Sequence, residues 1–136
     1  MLDLRLPFDE PYCIPQHTAS VINDVKSKGG RLVAVGTTVV RALESAANVD
    51  GSVGAGNGVA SGRIGRQTPI HVADTILTGV HQPGESHFEL LRAFADDASL
   101  EQMSEASARL GYRPHEFGDS MLIERCSRRH AGGDAD

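Results

Sequence analysis

Between residues 30 and 47 an apolar run of strand character stops at one glycine and resumes with helical spacing, as Gly30-Arg31-Leu32-Val33-Ala34-Val35-Gly36-Thr37-Thr38-Val39-Val40-Arg41-Ala42-Leu43-Glu44-Ser45-Ala46-Ala47. Such a junction requires a strand feeding directly into a helix, the elementary unit of an α/β protein. Gly36 allows a close backbone approach, and the helix behind it directs its unpaired amides and positive dipole end at whatever binds there. The expected ligand atom is therefore an anion. Thr37 and Thr38 add hydroxyls able to cap the helix or to bond a phosphate or carboxylate oxygen. The same residues also fit a plain strand-turn-helix joint with a threonine cap, since one glycine falls short of a phosphate-binding fingerprint.

The neighbouring segments extend this unit. Three prolines in the stretch 4–15 exclude a helix or a central strand there, so residues 1–15 read as an extended arm. Thr18 is expected to cap a helix running through Lys28, with Ala19, Ile22 and Val25 on one face and Gly29-Gly30 as its stop. A strand over 31–35 and a helix over 38–47 follow, the helix carrying Val39, Val40, Leu43, Ala46 and Ala47 as its apolar stripe. Residues 48–67 are rich in glycine and read as a mobile loop whose far end, with Arg63 and Arg66, is basic. One or two strands are expected within 70–80. Two capping boxes, Ser86-His87-Phe88-Glu89 and Ser99-Leu100-Glu101-Gln102, open two further helices, the second stopping at Gly111. A loop over 112–119 leads to a last strand over 120–124, and residues 126–136 form a frayed, disordered tail. The α/β domain, a mixed sheet flanked by helices, thus occupies residues 16–125.

Composition narrows what such a domain can do. Of 136 residues 40% are hydrophobic and none is Trp, which gives one modest domain, or part of a larger one, with an aliphatic core. The formal net charge of -5 argues against a free-standing nucleic-acid binder, so any polyanion contact must be local. No apolar run reaches the roughly 18 residues of a membrane span, and the acidic start lacks a secretory n-region, which points to the cytoplasm. Cys13 and Cys126 form no CxxC pair and are expected as thiols in a reduced compartment.

Chemistry-bearing residues are few. The six histidines show no metal-ligand spacing, and no metal site is expected. His81 follows a strand and precedes a Pro-Gly turn, a place where polar groups face a crevice; it serves as a general acid or base or is a surface turn histidine. Asp74 and Asp119 each orient a hydroxyl-bearing ligand or satisfy their own turns. Arg41 and Glu44, three apart on one helix, are placed to pair with each other.

The stretch 30–45 closely resembles the signature of the S-adenosylmethionine:tRNA ribosyltransferase-isomerase family of queuosine biosynthesis. Val72-Ala73-Asp74-Thr75-Ile76-Leu77-Thr78-Gly79-Val80-His81-Gln82-Pro83, then Leu91-Arg92-Ala93-Phe94-Ala95 and Gly111-Tyr112-Arg113, then Phe117-Gly118-Asp119-Ser120-Met121-Leu122-Ile123 resemble its later segments in order. The resemblance spans most of residues 7–124. It implies transfer of the ribosyl part of S-adenosylmethionine to a 7-aminomethyl-7-deazaguanine base in tRNA, with isomerisation to epoxyqueuosine and release of adenine and methionine. It further implies S-adenosylmethionine as ribosyl donor, tRNA as partner and no metal. Under it, Gly36, Thr37, Thr38 and Arg41 form an anion-binding edge, His81 is the acid or base, Thr78 lies in the substrate-binding segment, and Asp74 or Asp119 faces ribose or sulfonium. Two departures stand out. Where the family reads Thr-Asn-Phe-His-Leu-Pro-x-Ser, this chain has Thr78-Gly79-Val80-His81-Gln82-Pro83-Gly84-Glu85-Ser86, and the chain corresponds to the carboxy-terminal part of the family pattern, without its β-barrel domain. The alternative is a catalytically silent paralog or fragment that binds S-adenosylmethionine, a nucleotide or RNA, or that forms a structural homo-oligomer.

Overall fold

The computed structural model describes residues 7–81, 83–114 and 117–125; the expected tail, 126–136, lies outside them. The elements run β1 (Glu10–Ile14), α1 (Gln16–Ser27), β2 (Val33–Val35), α2 (Thr37–Ser45), β3 (Gly56–Ala60), β4 (Thr75–Gly79), α3 (Ser86–Leu91), α4 (Asp97–Leu110) and β5 (Ser120–Glu124). The strands form two sheets. β4 lies at the centre of the larger one, parallel to β2 and antiparallel to β5, so the sheet is mixed as expected. β1 and β3 form a separate antiparallel pair.

Register explains where the core sits. Ala34, Ile76 and Ile123 are directly opposite one another on β2, β4 and β5 and all are buried. They join Val40 and Leu43 of α2, Leu90 and Leu91 of α3, Leu100 of α4 and Phe94 between the last two helices in one aliphatic cluster. The period-2 alternation of the strands aims their other face, with Val33, Val35 and Leu122, at solvent.

Several local expectations shift. α1 begins directly after Pro15 instead of at Thr18: Pro15 occupies the N-cap position and its carbonyl accepts the Ala19 amide at 3.0 Å, where a missing N–H costs nothing. α2 begins one residue early, capped by neither threonine, because Gly36 itself is the N-cap. Val39 of its expected apolar stripe is exposed, and Arg41 is buried in its place. α3 starts at Ser86 with Glu85 before it and no side-chain cap, so the first capping box does not form. The second box gives way to a stronger cap three residues upstream: the Asp96 carboxylate accepts the Ser99 amide at 2.7 Å. Residues 70–72 form no strand. The glycine-rich segment carries a strand, β3, that its composition conceals, and Ala47 bridges Val53 ahead of it.

Candidate functional site

The parallel pair β2 and β4 sets the polarity of the site. In open α/β sheets ligands gather beyond the carboxyl ends of parallel strands. At that end β2 passes into Gly36, whose amide donates to the Leu77 carbonyl at 2.8 Å, and β4 passes through Thr78 and Gly79 toward His81. The Val80 amide donates to the Asp119 carbonyl at 3.0 Å, which extends the β4–β5 pairing by one step and steadies His81.

His81 is held on three sides. Its Nε2 lies 3.1 Å from Oγ1 of the buried Thr78, and its Nδ1 lies 3.4 Å from a carboxylate oxygen of Glu85. The His87 ring meets it edge-on, with centroids 4.8 Å apart and planes at 74°. Burial lowers the pKa of His81 below the ordinary histidine value, the nearby His87 pushes the same way, and Glu85 only partly opposes them. The ring is therefore neutral near pH 7 and available as a proton acceptor.

An open cleft of about 910 Å³ lies against this group. His81, Glu85 and His87 line one part of it; Arg113, Phe117 and Asp119 line another. The loop carrying Asp119 closes on itself: its carboxylate accepts the Arg113 amide at 2.7 Å and its own amide donates to the Arg113 carbonyl at 2.9 Å. Gly118 is required there, because a Cβ would stand 2.2 Å from that carbonyl. The structure thus brings together His81, Thr78 and Asp119 from the expected set, with Asp119 satisfying its turn while it lines the cleft.

The other expected residues fall elsewhere. Gly36, with φ 96 and nothing within 4 Å of its would-be Cβ, lies with Thr37 and Thr38 at the same end of the sheet but outside the lining of this cleft. Thr37 is buried and Thr38 exposed. Arg41 leaves the anion-binding edge altogether. Its buried guanidinium donates to the carbonyls of Phe8, Ala60 and Gly62, with the Glu10 carboxylate 3.3 Å away. Asp74 precedes β4, at the opposite end of that strand from His81. Its carboxylate accepts the Leu32 amide at 2.8 Å and pairs with Arg125 at 3.2 Å and Lys26 at 3.6 Å, which makes it a strut between strands and helix and separates it from the cleft. Arg41 and Glu44 do not pair: Glu44 accepts the amides of His71, Val72 and Ala73.

Sequence reasoning missed Glu85, His87 and Arg113 as neighbours of His81. The spacing of Glu85, four residues beyond His81 across a Pro-Gly turn, was the available signal for the first. Among the described residues no group of three or more His, Cys, Asp or Glu side chains is placed to hold a metal ion.

The S-adenosylmethionine:tRNA ribosyltransferase-isomerase of Thermus thermophilus is 43% identical over 115 residues, and that of Moorella thermoacetica is 38% identical over 114; each match covers 84% of this chain and 33% of the relative. The crystal structure of S-adenosylmethionine tRNA ribosyltransferase from Thermotoga maritima superposes with a TM-score of 0.72 at 29% identity, over 82% of this chain and 39% of that one. The chain thus spans about a third of the length of the curated relatives it matches. The sequence model of the queuosine biosynthesis proteins matches residues 6–123, from the arm ahead of β1 into β5, and the chain belongs to that family.

Proposed function

We propose that this protein works in queuosine biosynthesis as an S-adenosylmethionine:tRNA ribosyltransferase-isomerase, the present chain supplying the part of the site built around His81. The observation that carries the reading is the identity with enzymes of that name over 84% of the chain, in the same stretch that lays His81 against the cleft. The chemistry suits the cleft. Ribosyl transfer from S-adenosylmethionine needs a base for a proton and a pocket that tolerates a sulfonium cation. A neutral imidazole serves the first, and the carboxylates of Glu85 and Asp119 on the cleft lining suit the second. His81 is the acid or base in this reading, Thr78 holds its ring, Asp119 faces the donor, and the Gly36-Thr37-Thr38 junction offers helix amides to the methionine carboxylate from the same end of the sheet. Arg41 and Asp74 have no part in it. On this reading the protein works on its tRNA partner in the cytoplasm. Among the described residues no helix is long and apolar enough to cross a membrane.

The test follows adenine release from S-adenosylmethionine in the presence of tRNA bearing the 7-aminomethyl-7-deazaguanine base, using the protein expressed from its complete coding frame. The expected result is tRNA-dependent release that falls about 10²- to 10⁴-fold in His81→Ala, the range for loss of a general acid or base. Saturable donor binding with no release of adenine would overturn the reading in favour of a silent binding protein.

A further inference from the structure

We propose that Glu85 is a positioning residue for His81: it fixes the imidazole as the Nδ1–H tautomer and so reserves Nε2 as the basic nitrogen. The inference rests on the reading of His81 as the acid or base of the transfer and supplies the residue that prepares it. An ionised carboxylate only accepts hydrogen bonds, so the Glu85 oxygen 3.4 Å from Nδ1 favours hydrogen on that nitrogen. The neutral ring then has its lone pair on Nε2, and the Thr78 hydroxyl, 3.1 Å away, donates to it. Proton transfer at Nε2 needs only a rotation of that hydroxyl. With the opposite tautomer Nε2–H would donate to Thr78, and the basic nitrogen would be the one on the Glu85 side.

The local backbone supports this use of Glu85. It stands at the N-cap of α3, where an acceptor side chain ordinarily takes a helix amide, yet it makes no cap hydrogen bond. Gly84, at φ 92, turns the chain so that residue 85 returns beside residue 81. The remaining charged or titratable groups on the cleft lining are His87, Arg113 and Asp119. The Asp119 carboxylate is engaged by the Arg113 amide, and among the described residues Glu85 is the carboxylate paired with the His81 ring.

Long-range proton–nitrogen NMR on the complete chain with labelled histidine reads the tautomer directly, without substrate. The expected result is protonated Nδ1 and bare Nε2 at His81 in the parent protein and in Glu85→Gln, whose amide oxygen still accepts, and a reversed tautomer ratio in Glu85→Ala. Glu85→Ser, which restores a short N-cap acceptor but cannot reach the ring, should give the same reversal and serves if the alanine variant fails to fold. An Nε2–H tautomer in the parent, or an unchanged ratio in the alanine and serine variants, would overturn the proposal. The two readings fail separately: a correct tautomer in a protein that releases no adenine counts against the transfer reading alone.

Discussion

Arg41 and Glu44 sit one helical turn apart on α2, and spacing alone pairs them. The fold gives each its own set of backbone partners. The Arg41 guanidinium collects three carbonyls, from Phe8 ahead of β1 and from Ala60 and Gly62 at and beyond the end of β3, and the Glu44 carboxylate collects three consecutive amides ahead of β4. Neither set is legible in sequence, since the partners are backbone atoms 19 or more residues distant whose identity carries no signal. Arg41→Ala should therefore destabilise the fold by about 3 kcal/mol in urea unfolding, from orphaned buried carbonyls and an abandoned Glu10, while leaving donor affinity unchanged in the folded fraction. A selective loss of affinity would return Arg41 to the binding edge. Asp74 behaves similarly. Partial burial raises its pKa, but the Leu32 amide, Lys26 and Arg125 outweigh that and leave the group below the ordinary carboxylate value. A folded value below the unfolded one contributes stability above about pH 4 that is lost as pH falls through the folded value. Asp74→Asn should cost about 1–3 kcal/mol near neutrality and flatten this acid limb, as measured by urea midpoints from pH 7 to pH 3. His81 has the same sign by the opposite chemistry: its folded value is depressed, so its contribution is complete above about pH 6.5 and is lost on acidification, and its NMR titration midpoint should fall below that of a free histidine.

At the scale of elements the sequence was most readable where local chemistry decides the outcome. β4 follows from a β-branched run, β5 from a short apolar run, and the stop of α4 from Gly111, whose φ of 77 other residues resist. Helix starts were less readable, because several acceptors compete within one turn; Asp96 displaced Ser99 as the cap of α4. β3 was invisible. Its sequence, Gly-Asn-Gly-Val-Ala, has neither the propensity nor the alternation of a strand, and only the distant β1 gives it order. One contact explains a glycine in that ladder: Gly58 lies opposite Tyr12, and a Cβ there would stand 2.5 Å from the tyrosine Cζ. Gly58→Val, although better suited to a strand by propensity, should displace the Tyr12 ring and destabilise the pair by about 1–3 kcal/mol, an overpacking cost. Limited proteolysis within residues 48–55 should then accelerate with little change at β4 and β5. Unchanged cleavage would mean that the ring yields freely.

For the molecule as a whole, the decisive asymmetry is between the two faces of the mixed sheet. One face, through Ala34, Ile76 and Ile123, is covered by helices. On the other, Val35, Leu77 and Leu122 lie directly opposite one another across all three strands, with Val35 63% and Leu122 59% exposed. Both outer strands also present edges, and β2 contributes only three residues to its own. Contiguous apolar side chains on a sheet flanked by open edges favour association, and the net charge of -5 opposes it only weakly at physiological salt. The chain should therefore self-associate reversibly as concentration rises, by contact of this face with a second copy. Val35→Lys, on the β2 side of the patch, should shift the equilibrium toward monomer by about tenfold or more, since burying a lysine there costs more than the roughly 1.4 kcal/mol that a tenfold change requires. Sedimentation velocity on both proteins reads this directly. Because the Val35 side chain lies on the face of the sheet away from the helix-covered core, the substitution should leave the urea midpoint nearly unchanged, which separates loss of association from loss of fold. A parent chain that stays monomeric across the whole concentration range would show instead that the twist of the three strands and the exposed Arg31–Glu124 ion pair beside the patch are enough to keep two copies apart.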